Sequence, residues 1–309
     1  MNIFTQLYEW FYRPISARVV GIYRIGLGIV LFLTAFLFAG HLKEFFSDQG
    51  YVTKEFVHQT TKPNGFSIFF FNDSLLLVTI LYFVMMVACL FFIFGVWSRF
   101  AGFLCYILFL SFYNRLPLID FDGTVVIIIA LFCTLFLQTD KALVPKWYAK
   151  KYGTAETVPG WPARLLQVQI AFIYLFAAFT KLRSPSWMAG NELLGILNFQ
   201  YATMNFSWLT NYPLLVNLLT YGAIASELTF PFWIWFEKMR RWILVPLILM
   251  HIGIAITLQV TYFSEVMIAC LLLFMTDKDI EDLRSLWRWT RKALPNLRKR
   301  FPRIVFSEE

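Results

Sequence analysis

A lysine at the end of a long apolar run is the residue whose type and position most clearly suggest chemistry. The run covers residues 167–190, and its lysine precedes a Pro-Ser-Trp sequence. The polar and small residues of the run recur at intervals of four, three, four and three: Gln167, Ala171, Tyr174, Ala178 and Lys181. This spacing places them on one face of a helix. The sequence therefore predicts a seam of polar and small residues that ends in Lys181.

Two interpretations of Lys181 follow from its position. Lysines near helix ends commonly extend along apolar surface until the ammonium group reaches the lipid headgroups. A lysine on a face that points at other helices is instead partly removed from water, which disfavours the charged form of an amine and is how proteins make a lysine a base. The seam favours a base, and spacing alone leaves both interpretations open.

The composition indicates that these residues belong to a membrane protein. The 309 residues are 59% hydrophobic, 19% aromatic and 15% charged, with a mean hydropathy of +0.63, far from the balance of a soluble domain. Charged residues occur in short connections and at the two ends, so we expect a single domain over residues 1–309. All four cysteines lie in apolar runs without a CxxC pair, which argues against disulfides and a metal site.

Eight hydrophobic runs approach the roughly 20 residues that a bilayer crossing needs. They lie near residues 17–39, 75–97, 99–116, 122–138, 163–182, 213–236, 242–260 and 262–276. The predicted fold class is therefore an all-α polytopic integral membrane protein, a bundle of about eight transmembrane helices with interfacial amphipathic helices.

The basic residues predict the orientation of this bundle. If the N-terminus is cytoplasmic, the inside segments hold 20 of the 27 Lys and Arg residues and the outside segments hold six. This asymmetry favours both termini on the cytoplasmic side. The basic tail over residues 280–309 contains Trp287 and Trp289, as an interfacial helix would. The net charge of +8 thus indicates membrane lipids, and not nucleic acid, as the partner.

Two long segments lie on the predicted outer side, next to Lys181. Residues 41–74 are rich in aromatic side chains that are costly in water, so we expect this segment to fold back over the bundle as a lid. Residues 183–212 have the apolar spacing of an amphipathic helix on the outer interface.

Three ionisable residues within the spans are predicted to share one depth. With a rise of 1.5 Å per residue, Arg24, Glu227 and His251 lie roughly 10 to 14 Å from the inner ends of their helices. We interpret Arg24 and Glu227 as a structural polar brace with His251 hydrogen-bonded nearby. Direct participation of these residues in chemistry is the alternative.

A second group of polar residues is predicted nearer the outer surface. The same rise places Lys181 roughly 25 Å from the inner end of its helix. Asn114, Arg115, Asp122 and Gln259 should lie near that level, because each is at the outer end of a predicted span. This group would lie beneath the 41–74 segment.

Five motifs give the chain a resemblance to a known family. In chain order they are IYRIGLGIVLFL, EFFSDQGYV, SFYNRLPLIDFDGT, YLFAAFTKLRSPSWMAG and ELTFPFWIW. Over roughly residues 16–277 the chain resembles the horizontally transferred transmembrane (HTTM) family, which is related to vitamin K-dependent gamma-carboxylase. The resemblance implies that Lys181 is the base that deprotonates a reduced naphthoquinone, either menaquinol or vitamin K hydroquinone, in an oxygen-dependent reaction that forms an epoxide.

The resemblance also suggests roles for other residues. It implies catalytic roles for Asn114 and His251 beside Lys181, with no metal. The residues that we expect to bind the substrate are Arg115, Asp122, Tyr174, Trp187 and Gln259. The carboxylase has a histidine where this chain has Arg115, which changes the charge near the expected quinol.

Three functions are compatible with these sequence features. The first is a quinol-dependent enzyme of the carboxylase type; because the chain ends soon after its last predicted span, we expect no region that holds a protein substrate, unless a separate exterior subunit supplies it. The second is an accessory or maturation factor for an exported peptide, since the family includes small members of the bacterial inner membrane with that role. The third is a transporter or lipid-binding protein, against which the lack of an internal repeat argues.

Overall fold

The computed structural model describes residues 2–60, 65–116, 122–199, 202–259 and 262–300, with side chains for all of these except 58, 122 and 292–300. The α-helices are α1 (Ile3–Tyr12), α2 (Ala17–Leu37), α3 (Lys54–Thr60), α4 (Leu75–Phe94), α5 (Ser98–Arg115), α6 (Asp122–Thr134), α7 (Lys146–Tyr152), α8 (Trp161–Arg183), α9 (Pro185–Met188), α10 (Glu192–Leu197), α11 (Pro213–Trp233), α12 (Glu237–Thr257), α13 (Phe263–Leu271) and α14 (Asp277–Arg300). A short antiparallel pair of strands, β1 (Ile15–Ser16) and β2 (Thr157–Val158), connects the start of α2 to the residues before α8.

Each of the eight predicted runs coincides with a helix, so the all-α membrane fold is confirmed. Within the described ranges, five helical segments are long and apolar enough to cross a membrane: Ala17–Phe46, Leu75–Phe94, Trp161–Arg183, Pro213–Trp233 and Glu237–Thr257. The other three predicted spans correspond to α5, α6 and α13, the last continued by the 3-10 turn Leu272–Phe274. These helices have at most 18 residues, and α5 carries an arginine near each end.

The seam on α8 faces other helices, as its spacing predicts. Gln167, Ala171, Tyr174 and Ala178 are all buried. The Gln167 side chain donates a hydrogen bond from Nε2 to the carbonyl oxygen of Leu273, 2.8 Å away. The lipid-facing side of the same helix instead exposes phenylalanines, as expected in a bilayer.

Arg24 binds backbone carbonyls, so the predicted brace between Arg24 and Glu227 does not form. The Arg24 guanidinium is fully buried and donates hydrogen bonds to four carbonyl oxygens: Ile93 (3.3 Å), Thr139 (2.6 Å), Ala142 (3.2 Å) and Leu143 (2.7 Å). The first of these belongs to the C-terminal end of α4, where carbonyls lack partners within the helix and attract a cation. Gly95 ends that helix with φ of 73°, and a Cβ atom there would clash with the Arg24 guanidinium.

The described part of the 41–74 segment folds back onto the bundle, as predicted for the segment. It contains a π-helix (Leu42–Phe46), α3 and a 3-10 turn (Ile68–Phe70). Phe46 and Phe69 are buried, and their rings pack on Phe112 of α5 with centroids 5.0 and 4.8 Å apart. These aromatic contacts attach the segment to the C-terminal half of α5.

The 183–212 segment is not the single amphipathic helix that its spacing predicts. The described part of the segment contains α9, α10 and the 3-10 helix Ser207–Asn211. Gly190 separates α9 from α10 with φ of 78°, a conformation that favours glycine, and a Cβ atom there would lie 2.7 Å from Asn217 Oδ1. Apolar spacing alone did not reveal this break.

The chain divides into two compact units, Met1–Phe274 and Met275–Glu309. In the second unit, Thr276 caps the start of α14: its backbone N–H and its hydroxyl donate to Asp279 Oδ2 at 2.7 and 2.6 Å. Both Trp287 and Trp289 are exposed. Residues 301–309 of the predicted tail lie outside the described residues. The placement of this tail on a membrane surface stays a prediction.

Candidate functional site

Lys181 forms an ion pair with Glu227 that joins α8 to α11. Lys181 Nζ lies 2.8 Å from Glu227 Oε2 and 2.9 Å from Oε1, with hydrogen-bond geometry towards Oε1. The Lys181 side chain is 19% exposed and that of Glu227 is 7% exposed. Nζ also lies 5.0 Å from the centroid of the Trp187 ring, on α9. The ammonium group thus has a carboxylate on one side and an aromatic face on the other.

The direction of the two side chains explains why they meet. Tyr174 packs on Phe230 with ring centroids 4.7 Å apart. Tyr174 precedes Lys181 on α8, whereas Phe230 follows Glu227 on α11. The two helices are therefore antiparallel. Because side chains lean towards the N-terminus of their own helix, Lys181 and Glu227 lean towards each other. Rise per residue alone places them at different depths, which is why the sequence did not predict this pair.

A second polar pair lies next to the first and joins α8 to α12. The hydroxyl of Tyr174 lies 2.8 Å from His251 Nε2, and both residues are almost completely buried. Rings of Phe230 and Phe263 flank the pair, the latter 5.7 Å from the imidazole. His251 Nδ1 is buried and has no hydrogen-bond partner among the described residues. A buried ring nitrogen without a hydrogen-bond partner lowers the stability of the fold unless another polar group bonds to it.

Together the two pairs form one cluster, which we call the Lys181 cluster: Tyr174, Lys181, Glu227 and His251. Glu227 interacts electrostatically with Tyr174, and Lys181 with His251. The cluster combines an amine, a carboxylate, a phenol and an imidazole, each of which can accept or donate a proton. Such convergence of ionisable groups inside a membrane bundle makes the cluster a candidate functional site.

Asn114 and Arg115 lie in a different set of contacts. Arg115 is buried and its Nη2 donates to the carbonyl oxygen of Val52 (2.8 Å) and to Asp73 Oδ2 (3.1 Å). Asp73 Oδ1 in turn lies 2.8 Å from Lys54 Nζ. Asn114 Nδ2 donates to the carbonyl oxygen of Phe66 at 2.7 Å. These contacts attach the 41–74 segment to the end of α5, whereas Lys181 pairs with α11.

The other two residues expected at the outer level are placed as follows. Asp122 begins α6, and its side chain lies outside the described part of the structure. Gln259 is exposed and follows the C-terminal end of α12. The sequence reasoning missed Asp73 as an ion-pair partner, because nothing in the local pattern distinguishes it from other loop carboxylates.

Loss of the Asp73 carboxylate is expected to loosen the 41–74 segment. Asp73→Asn leaves the buried Arg115 guanidinium without its charged partner, and a hydrogen bond to a charged group contributes about 1.5–3 kcal/mol. We expect faster amide hydrogen exchange over residues 44–57, by roughly tenfold or more. Glu44→Gln is the control, since the Glu44 carboxylate pairs with the exposed His41 and with no other cation among the described residues. Equal exchange in both variants would show that Asp73 does not hold the segment.

One comparison with known proteins identifies a family. A family model described as the HTTM domain matches residues 12–278, which covers nearly all of the first compact unit. No curated protein and no solved structure matches the chain. The matched range contains every residue of the Lys181 cluster.

Proposed function

We propose, from the premise that this chain belongs to the HTTM family, that it is a membrane enzyme in which Lys181 acts as a base on a reduced naphthoquinone. The chain is an integral membrane protein of that family, whose domain is found in vitamin K-dependent carboxylase. The observation that carries the proposal is the Lys181–Glu227 pair, held inside the bundle beside Tyr174 and His251. An ion pair used only as an anchor needs neither the phenol nor the imidazole.

The residues of the Lys181 cluster fit a flat aromatic diol. Rings of Trp187, Phe230 and Phe263 provide apolar faces around the polar groups. Lys181 Nζ and His251 Nδ1, which has no hydrogen-bond partner in the described part of the chain, provide two polar atoms for hydroxyl groups. When bound, a reduced naphthoquinone would supply an ionisable hydroxyl and the electrons for a reaction with oxygen. These features support the assignment of a quinol to this site.

Glu227 has a defined role in making Lys181 a base. Paired with a carboxylate, Lys181 is an ammonium group and cannot accept a proton. Glu227 Oε1 lies 2.9 Å from Nζ and can accept one proton from it, which leaves a neutral amine. The amine then accepts the substrate proton at Nζ, with proton transfer over hydrogen-bond distances. Glu227 is therefore the acceptor that prepares the base.

Tyr174 and His251 orient the substrate in this proposal. The 2.8 Å contact from the Tyr174 hydroxyl to Nε2 fixes the imidazole ring. With Nε2 engaged, Nδ1 is the atom that remains for a substrate hydroxyl. The packing of Phe230 and Phe274, with ring centroids 5.2 Å apart, closes this side of the cluster to water.

The proposal is tested by incubating the purified protein in nanodiscs with reduced menaquinone and oxygen. We expect a product heavier than the quinone by one oxygen atom, detected by mass analysis, at a rate above protein-free nanodiscs. Tyr174→Phe removes only the hydroxyl that holds the His251 ring, and should slow this reaction. Tyr221→Phe is the matched control, because Tyr221 donates instead to the carbonyl oxygen of Met188. If the wild-type protein forms this product no faster than empty nanodiscs do, the proposed enzymatic activity is refuted.

A further inference from the structure

An apolar groove runs along the surface of α4 and α5 that faces away from the helix bundle, next to the turn that joins the two helices. Its volume is about 510 Å³, and every side chain that lines it is apolar. Ala88 and Ala101 are buried at its floor, where their small side chains leave room between the helices. Phe83, Phe91 and Phe100 form its walls and are exposed. The groove is separate from the Lys181 cluster on α8, α11 and α12.

The shape of the groove matches a single hydrocarbon chain. On α4 its lining extends from Ile80 to Phe91, a length of roughly 17 Å at 1.5 Å per residue. The hydrocarbon core of a bilayer is about 30 Å thick, so this length corresponds to about one leaflet. A groove with exposed aromatic walls on a membrane-facing surface is covered by lipid. Its length and its volume of about 510 Å³ indicate one acyl chain.

One end of the groove lies next to basic residues of α5 and α7, which do not line the groove themselves. Trp97 lines this end, and its backbone N–H donates to the Tyr148 hydroxyl 3.3 Å away, which places α7 beside it. Tryptophan and tyrosine are typical of the interface between membrane and water. The exposed basic residues at this end are Arg99, Lys146, Lys150 and Lys151. Among the described residues, the carboxylate of Asp140 interacts with Tyr148, and the four basic residues outnumber this one negative charge.

We propose that this groove binds one acyl chain of an acidic phospholipid, with the headgroup phosphate held by Arg99 and the lysines of α7. A zwitterionic lipid fits the apolar part equally well and lacks the net negative charge that matches these cations. The site lies at the end that the basic residues predict to be cytoplasmic, where acidic lipids attract Lys and Arg. The proposal does not depend on the chemistry of the Lys181 cluster.

The experiment titrates the detergent-purified protein with phosphatidylglycerol and, separately, with phosphatidylcholine of the same chains. Bound lipid is counted by native mass spectrometry. We expect wild-type protein to bind phosphatidylglycerol about tenfold more tightly. Val87→Trp fills the groove from a half-exposed position and should abolish this binding. Val245→Trp is the matched control, at a similarly exposed position on α12, and should bind like wild type.

The headgroup part of the site is tested with a second pair of variants. Arg99→Gln should weaken phosphatidylglycerol binding about fivefold and phosphatidylcholine binding by less, because the choline ammonium offsets the phosphate charge that Arg99 meets. Arg183→Gln removes the same charge from the exposed end of α8 and should have no effect. Equal losses in these two variants, equal affinities for the two lipids, or binding that survives Val87→Trp would each overturn the site. Displacement of phosphatidylglycerol by an equimolar neutral isoprenoid lipid would overturn it as well.

Discussion

Lys181→Arg is expected to abolish turnover, by roughly 10²–10⁴-fold, in a protein that remains folded. Arginine keeps the positive charge and can pair with the Glu227 carboxylate in place of Lys181. It cannot lose its proton, because guanidinium stays charged in proteins. Transfer of its proton to Glu227 is therefore blocked, and no neutral amine forms. The reaction rate with reduced menaquinone and oxygen is the measurement.

Two controls make this result specific to Lys181. Lys54→Arg changes another lysine that pairs with a carboxylate, that of Asp73, and should leave the rate unchanged. Thermal unfolding of Lys181→Arg should match wild type, which separates lost chemistry from lost structure. If Lys181→Arg turns over normally, Lys181 is an anchor of α8 and the proposed enzyme loses its base.

Glu227→Gln is expected to lower the free energy of unfolding by about 3 kcal/mol. Removing one partner of a buried ion pair leaves the other charge uncompensated, at a typical cost of about 3–5 kcal/mol. The lower figure applies because the Lys181 side chain keeps 19% exposure. The measurement is thermal unfolding in detergent. Glu237→Gln, at an exposed position in the first turn of α12, is the control and should unfold like wild type.

Double variants identify which cation Glu227 compensates. Lys181→Met combined with Glu227→Gln removes both charges and should recover most of the stability lost in Glu227→Gln alone. Arg24→Met combined with Glu227→Gln should instead add a second loss, since Arg24 holds four backbone carbonyls. Recovery with Arg24→Met and none with Lys181→Met would contradict the ion pair and restore the brace expected from depth alone.

The 183–212 segment shows where local pattern reaches its limit. Its apolar spacing is that of an amphipathic helix, yet Gly190 interrupts it with a left-handed conformation. A glycine within an apolar run is tolerated in many helices at a modest cost. What requires glycine here is the approach of Asn217 from α11, to within 2.7 Å of where a Cβ atom would be. That contact arises between segments distant in sequence.

The sequence by itself determined the membrane class, the position of the eight predicted spans and the inward face of α8. These properties depend on composition, on run length and on a 3.6-residue period, which are all local. Tertiary structure alone decided that Glu227 pairs with Lys181, that Arg24 binds carbonyls and that Asp73 holds Arg115. The rise per residue gives the height of a residue on its own helix. The rise per residue does not give the direction of a side chain, nor the rotation and tilt of the neighbouring helix. These three properties decide which buried charges meet.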